Sequence, residues 1–160
     1  MIQISFEVTD EPPRLVVTEK MPYPIDAVWR AQTEALYVQQ WWAPLGYKNV
    51  DITLASTEGD GWRVVQRDPQ GNQFSFYGKV ERFAPNEQLV ITLTSELFPD
   101  SPIRLVQDFA GEGRRTVVTS TYEFLSDSDR DSYLDLGGLE RLRGASVRLD
   151  ALLAQLTGEV

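Results

Sequence analysis

The chain has 160 residues, of which 42% are hydrophobic and 24% charged, a composition typical of one globular domain with a sizeable core. Its formal net charge of −9 argues against nucleic acid or an anionic membrane surface as a partner, since both require concentrated basic side chains. The sequence contains no His and no Cys, which excludes imidazole and thiol catalysis, disulfides and the usual zinc ligands.

These absences set the first functional expectations. We expect no metal site and no cofactor, and any catalysis would rest on carboxylates, Lys, Tyr, Ser or Arg. No apolar run reaches the roughly twenty residues of a membrane span, and residues 1–7 lack the basic and apolar segments of a secretory signal. The resulting expectation is a single cytoplasmic domain over residues 1–160.

The pattern along the chain predicts two strands, two short helices, six further strands and a long C-terminal helix. The strand segments are rich in β-branched and aromatic residues and are separated by Gly, Pro, Asn and Asp turns. The predicted strands are residues 2–8, 14–20, 50–56, 62–67, 74–83, 88–97, 103–109 and 116–124. Short connections between the last six indicate an antiparallel meander, which the strand at 14–20 is free to join.

Between the second and third strands lies a helical corner that holds three of the four tryptophans. Pro24 fits the first turn of one helix, where a missing N–H is tolerated, and Thr33 fits the start of the next. Pro44 ends the second helix because it cannot continue the hydrogen-bond ladder. Adjacent rings on a helix cannot point the same way. We therefore expect one of Trp41 and Trp42 to face a pocket and the other the sheet edge or solvent.

The C-terminal segment changes to a helical period. Ser128 with Asp131 three residues on predicts a capping box, and the acidic stretch 127–135 indicates a solvated helix start rather than a calcium loop. Leucines then recur every three or four residues, which predicts an amphipathic helix of more than four turns. Gly137 and Gly138 interrupt its start and indicate a kink, a break or a close approach by another group.

Four short motifs stand in order along this pattern: Pro24-x-x-x-Val28-Trp29, Trp41-Trp42-Ala43-Pro44, Asp68-Pro69-x-Gly71 and Tyr77-Gly78-x-Val80. With the order of elements, they resemble the START-like superfamily, which includes the birch pollen allergen and polyketide cyclases. Over residues 14–156 the chain is most similar to the family named after the C-terminal domain of the Hsp90 ATPase activator. The resemblance implies an α+β helix-grip fold, in which a curved antiparallel sheet, two short helices and a long C-terminal helix enclose a cavity.

The resemblance also implies a ligand pocket between the concave sheet face and the C-terminal helix. Strand alternation places Gln66, Gln107, Ser120 and Tyr122 as polar groups on otherwise apolar faces, a pattern typical of a small-molecule site. The candidate ligand-binding residues are Trp41, Trp42, Trp62, Phe76, Gln107, Ser120, Tyr122, Gly138 and Leu142. The alternative for the aromatic residues is plain core packing, and for Gln107 and Ser120 it is a hydrogen-bonded pair inside the sheet.

Three functions stay open. The first is a binding module for a small hydrophobic or aromatic ligand. The second, suggested by the family name, is an Hsp90 co-chaperone-like interaction protein with a role in stress response. The third is a cyclase- or hydrolase-type enzyme, which would need Tyr77, Glu96, Arg104 or Tyr122 in the cavity as acid, base or electrostatic clamp. The lack of His and Cys favours a binding module over an enzyme, and exposed sheet edges leave a homodimer open.

Overall fold

The computed structural model describes residues 1–158, and over that range it contains eight strands and four helices. The strands are β1 (Gln3–Thr9), β2 (Arg14–Met21), β3 (Lys48–Thr53), β4 (Gly61–Arg67), β5 (Gln73–Ala84), β6 (Gln88–Ser95), β7 (Ile103–Glu112) and β8 (Arg115–Phe124). The helices are α1 (Ile25–Thr33), α2 (Ala35–Trp41), α3 (Asp127–Asp135) and α4 (Gly138–Thr157). The strands form one curved sheet in the order β1-β2-β8-β7-β6-β5-β4-β3. The predicted helix-grip α+β fold is confirmed.

The sheet is antiparallel throughout, and β3 to β8 follow one another as the predicted meander. β2 pairs with β8 and carries β1 to the edge. Local turn chemistry sets the register between β4 and β5. There the Asp68 carboxylate accepts hydrogen bonds from the N–H groups of Gln70 and Asn72 at 3.0 and 2.9 Å. Gly71 supplies a φ of 87°, which L residues rarely adopt.

Strand β3 differs from its predicted range, because it begins at residue 48 and ends at residue 53. Asn49 explains the earlier start. Its amide donates to the Gln39 carbonyl at 3.0 Å, and its oxygen accepts from Gln66 at 3.2 Å. The register shifts directly after Asn49, so this polar anchor ties the edge of the sheet to α2.

The helical corner has the predicted form with one change at the second helix start. Pro24 is the N-cap of α1, but Glu34 rather than Thr33 is the N-cap of α2. The Thr33 hydroxyl instead donates to the carbonyl of Trp29 at 2.7 Å, so it stays part of α1. Trp29 is buried core, with edge-to-face contacts to Phe83 and Phe109.

The C-terminal segment forms two helices, because Gly137 interrupts the helical conformation between them with a φ of 84°. The predicted capping box was placed two residues late. Ser126 is the N-cap of α3, and its hydroxyl oxygen accepts from the Asp129 N–H at 3.1 Å. Gly138 opens α4 directly beneath Tyr133, so a close approach accompanies the break.

Helix α3 is more than a solvated start, because its Arg130 is buried. The Arg130 guanidinium donates to the Thr9 carbonyl at 2.6 Å and to Asp10 at 2.9 Å, and it also pairs with Asp131 at 3.0 Å. Hydrogen bonds to a charged group are among the stronger ones in proteins. This arginine therefore fastens the α3 turn to the end of β1.

The buried apolar side chains form three clusters, not one continuous core. The first packs Leu149 and Leu153 of α4 against α1 and neighbouring strands. The second contains Leu15 and Phe124 beneath α3 and the start of α4. The third is centred on Trp62 of β4. Together the clusters surround the middle of the concave face, where the sheet and α4 stay apart.

Gly78 provides a test of this packing, because a Cβ at that position would collide with the backbone carbonyl of Thr92. The same carbonyl accepts the Trp62 indole N–H at 2.9 Å. We expect Gly78→Ala to lower the free energy of unfolding by about 2 kcal/mol or more, since overpacking against backbone has no cheap relief.

Thermal or denaturant unfolding of the Gly78→Ala variant measures this effect. Gly61→Ala on the neighbouring strand is the matched control, because its added Cβ would lie 3.5 Å from the nearest carbonyl oxygen, an ordinary contact. Equal stability of the two variants would contradict the close approach of β6 to Gly78.

Candidate functional site

A cavity of about 270 Å³ lies between the concave sheet face, the α1–α2 corner and α4. Its wall is mainly apolar and includes residues of β1, β2, β4 to β8, the helical corner, α3 and α4. The cavity exists because the middle of α4 presents Ala145 and Ser146 to the sheet, with Leu142 and Leu149 on either side. These two small side chains leave space that a larger pair would fill.

The cavity wall brings together most of the residues predicted as ligand-binding. Those that line it are Trp41, Trp42, Trp62, Phe76, Gln107, Ser120, Tyr122 and Leu142. Gly138 is absent from the wall, because it lies buried against the Tyr133 ring and carbonyl. It therefore shapes the site only through Tyr133, which does line the cavity.

Both residues of the tryptophan pair line the cavity, so the expectation that one would turn away was wrong. Trp41 is the last residue of α2 and Trp42 is its C-cap. The Trp41 indole N–H donates to the Ala31 carbonyl at 2.8 Å. The Trp42 ring makes edge-to-face contacts with Trp62 and Phe76, at centroid distances of 6.2 and 5.0 Å.

Gln107 and Ser120 form the hydrogen-bonded pair considered above. Cross-strand pairing places them opposite each other on β7 and β8, and the Gln107 amide donates to the Ser120 hydroxyl at 3.1 Å. The same Gln107 nitrogen donates to the side-chain oxygen of Gln32 on α1, also at 3.1 Å. The pair thus extends to a third polar residue of the wall, which the sequence did not single out.

A buried carboxyl is the other polar feature that sequence reasoning missed. Glu19 lines the cavity, and its carboxylate accepts from the Ser146 hydroxyl at 2.9 Å. Burial raises the pKa of Glu19, and the hydrogen bond from Ser146 opposes this rise. Strand alternation offered a signal, because Glu19 shares the inward face of β2 with Leu15 and Val17.

The arginines of the wall are engaged with protein groups. Arg148 donates to the Trp41 carbonyl at 2.9 Å, and desolvation lowers its pKa. Arg141 lies over the Tyr133 ring at 5.4 Å and donates to the Leu136 carbonyl. Both guanidinium groups therefore tie α4 to adjacent elements of the fold.

Three of the four residues named for a cyclase or hydrolase lie outside the cavity. Tyr77 is exposed on β5, and Glu96 accepts the Ser75 backbone N–H at 2.7 Å. Arg104 forms ion pairs with the exposed Glu81 and the half-buried Glu123. Only Tyr122 lines the cavity. Desolvation, with smaller contributions from Tyr133 and Glu19, raises the pKa of Tyr122 well above its usual value, so its phenol stays protonated and is a poor base.

Over residues 1–158, no group of three or more acidic side chains has an arrangement that could hold a metal ion. In the same part of the chain, no helix is both long and apolar enough to cross a membrane.

Fold and cavity together define the class, a helix-grip protein of the START-like superfamily. The family model described as Activator of Hsp90 ATPase homolog 1-like protein matches residues 22–144. The chain therefore belongs to the Activator of Hsp90 ATPase homolog 1-like family, as its motifs indicated. No curated protein matches the sequence.

Solved structures with the same fold come from several organisms. A protein from Rhodobacter sphaeroides is 18% identical with a TM-score of 0.86, over 98% of this chain and 99% of that one. One from Arthrobacter aurescens is 17% identical with a TM-score of 0.85, over 94% and 91%. One from Nitrosomonas europaea is 21% identical with a TM-score of 0.81, over 93% and 98%. At these identities the likeness establishes the fold alone.

Glu19 gives a pH-dependent test of the cavity's low polarity. Burial raises the pKa of Glu19 in the folded state above its pKa in the unfolded chain. Between these two pKa values the folded protein holds the carboxyl proton more tightly than the unfolded chain does. The free energy of unfolding therefore falls as the pH rises through this range. Glu19→Gln removes the loss while an oxygen still accepts from Ser146. We expect its melting temperature at pH 7 to exceed that of the wild type.

The difference between Glu19→Gln and the wild type should shrink as pH falls toward about 4, where both chains carry a neutral group. Glu7→Gln on exposed β1 makes the same change in net charge and is the control. A Glu19→Gln variant that is no more stable than wild type at pH 7 would contradict the buried environment of this carboxyl.

Proposed function

We propose that the protein binds a small, mostly apolar molecule in the cavity between the sheet and α4. The observation that carries the proposal is a space of about 270 Å³ with an aromatic and aliphatic wall and a few converging polar groups. Small-molecule sites commonly have this composition. An engineered apolar cavity of about 150 Å³ already admits benzene, so a monocyclic ligand with a substituent fits here.

The aromatic part of the wall favours a flat ligand. Trp42 contacts both Trp62 and Phe76 edge to face, and all three residues line the cavity. Aromatic rings add about 0.5–1.5 kcal/mol per favourable pair beyond area burial. A ligand burying about 200 Å² of apolar surface gains roughly 5 kcal/mol before the costs of association. That gain alone corresponds to a dissociation constant of about 0.2 mM, so weak binding in the millimolar range is expected.

Binding is favoured over catalysis by the groups in the wall. Tyr122 is the one residue named for the enzyme hypothesis that lines the cavity, and its raised pKa keeps the phenol neutral. The Glu19 carboxyl is held by Ser146, so neither group is an activated nucleophile. The chaperone partner and the homodimer stay predictions.

The cavity-filling variant Ala145→Phe tests the proposed site. Ala145 lines the cavity from α4, and a benzyl group there would occupy the space that a ligand needs. We expect a saturable change in tryptophan fluorescence on titration of wild type with toluene, and an affinity at least about tenfold lower in Ala145→Phe.

The matched control is Val147→Phe, two residues along α4, where the side chain is 69% exposed. This variant adds a ring to the same helix without reaching the cavity, so it should bind toluene like the wild type. Circular dichroism verifies that both variants are folded. Equal toluene binding by all three proteins would place the ligand elsewhere, and no response from wild type would contradict the proposed function for apolar monocycles.

A further inference from the structure

One donor in the cavity wall has no partner. The Nε2 atom of Gln32 is buried, and among residues 1–158 no group accepts a hydrogen bond from it. Gln32 itself lines the cavity from α1. A buried donor without a partner carries an uncompensated desolvation cost, and nearly all such groups in native proteins find an acceptor.

The neighbours of Gln32 determine which end of its amide is free. Its oxygen accepts from the Gln107 amide nitrogen at 3.1 Å, and that nitrogen also donates to the Ser120 hydroxyl. Reversing the Gln32 amide alone would place two N–H₂ groups against each other. With its oxygen occupied by Gln107, the Gln32 amide is left with its nitrogen as the group without a protein partner.

The net charge of the chain and the mostly apolar wall argue against an anionic ligand. Glu19 contributes a buried carboxyl, while Arg148 and Arg141 already donate to the Trp41 and Leu136 carbonyls. The chain as a whole carries a net charge of −9, which disfavours the approach of anions. An ion that entered this mostly apolar space would also lose much of its hydration.

We propose that the cavity selects a neutral, ring-sized molecule with a carbonyl oxygen, which accepts a hydrogen bond from the free Gln32 amide nitrogen while its apolar body lies against the aromatic wall. This inference rests on the proposed function and adds the chemistry of the ligand. Gln107 and Ser120 are then positioning residues, because they hold the Gln32 oxygen and so direct its nitrogen toward the ligand.

The test compares two ligands of the same shape. Acetophenone carries a carbonyl oxygen, and α-methylstyrene carries a methylene group in its place. Because the two differ in their own hydration, the informative quantity is the change in their affinity ratio between wild type and Gln32→Met, a cycle that isolates the hydrogen bond. We expect Gln32→Met to weaken acetophenone binding by about 3- to 10-fold, the usual range for one hydrogen bond, and to leave α-methylstyrene nearly unchanged.

Gln40→Met is the matched control, because Gln40 lies on the exposed surface of α2 and donates only to its own helix at Leu36. It makes the same chemical change outside the cavity and should leave both affinities unaltered. A ¹⁵N–¹H NMR titration of the wild type gives a second readout, which reports on the Gln32 side chain directly. Acetophenone should shift the Gln32 side-chain NH₂ signal, which is assigned by its loss in Gln32→Met.

The outcomes separate the inference from the proposed function. If both ligands bind and their affinity ratio is the same in wild type and Gln32→Met, the inference fails while the proposed function stands. If neither ligand binds to wild type, both fail. Benzoate is the charged comparison, and tighter binding of benzoate than of acetophenone would overturn the neutral-ligand assignment.

Discussion

The structure depends on how α4 is held across the concave face of the sheet. Near its C-terminal half, Asp150 accepts the Ile2 N–H at 3.0 Å and the Tyr23 hydroxyl at 2.9 Å, and Arg148 reaches the Trp41 carbonyl. These hydrogen bonds fix the distance between α4 and the sheet. Between its leucines the helix presents small residues such as Ala145, so the space beneath it stays open instead of becoming core.

This arrangement separates stability from the candidate site. Folding energy comes from the three apolar clusters around the cavity and from polar fasteners such as Arg130 at the α3 turn. The cavity wall then has its polar groups oriented before any ligand arrives, since Gln107 holds both Ser120 and Gln32. Such preorganisation reduces the entropy lost on binding, and it lets a small wall with few polar atoms discriminate between ligands.

Much of the fold and of the apolar wall could be predicted, because both follow local rules. The alternation of side chains along β7 and β8 predicts that Gln107 and Ser120 face inward. The spacing of the leucines in α4 predicts which face of that helix is buried. The family resemblance supplied the rest of the expected wall. Gly138 was assigned wrongly to that wall, because two adjacent glycines signal a close approach without saying which group approaches.

The missed polar residues depend on tertiary packing. Gln32 matters only because α1 folds over the end of β7, and Ser146 matters only because α4 crosses β2 beside Glu19. The enzyme candidates failed for the complementary reason. Residues such as Arg104 carry suitable chemistry, but strand alternation places them on the outer face, where they form surface ion pairs.

The central claim is that the space under α4 is an accessible binding site, and methyl-resolved NMR tests it most directly. Titration with small neutral apolar molecules should produce saturable shifts at the wall methyls of Val64, Ile91 and Leu142, while the exposed methyls of Leu36 and Val147 stay unchanged. Shifts confined to the exposed methyls, or no saturable shift at the wall, would contradict the account.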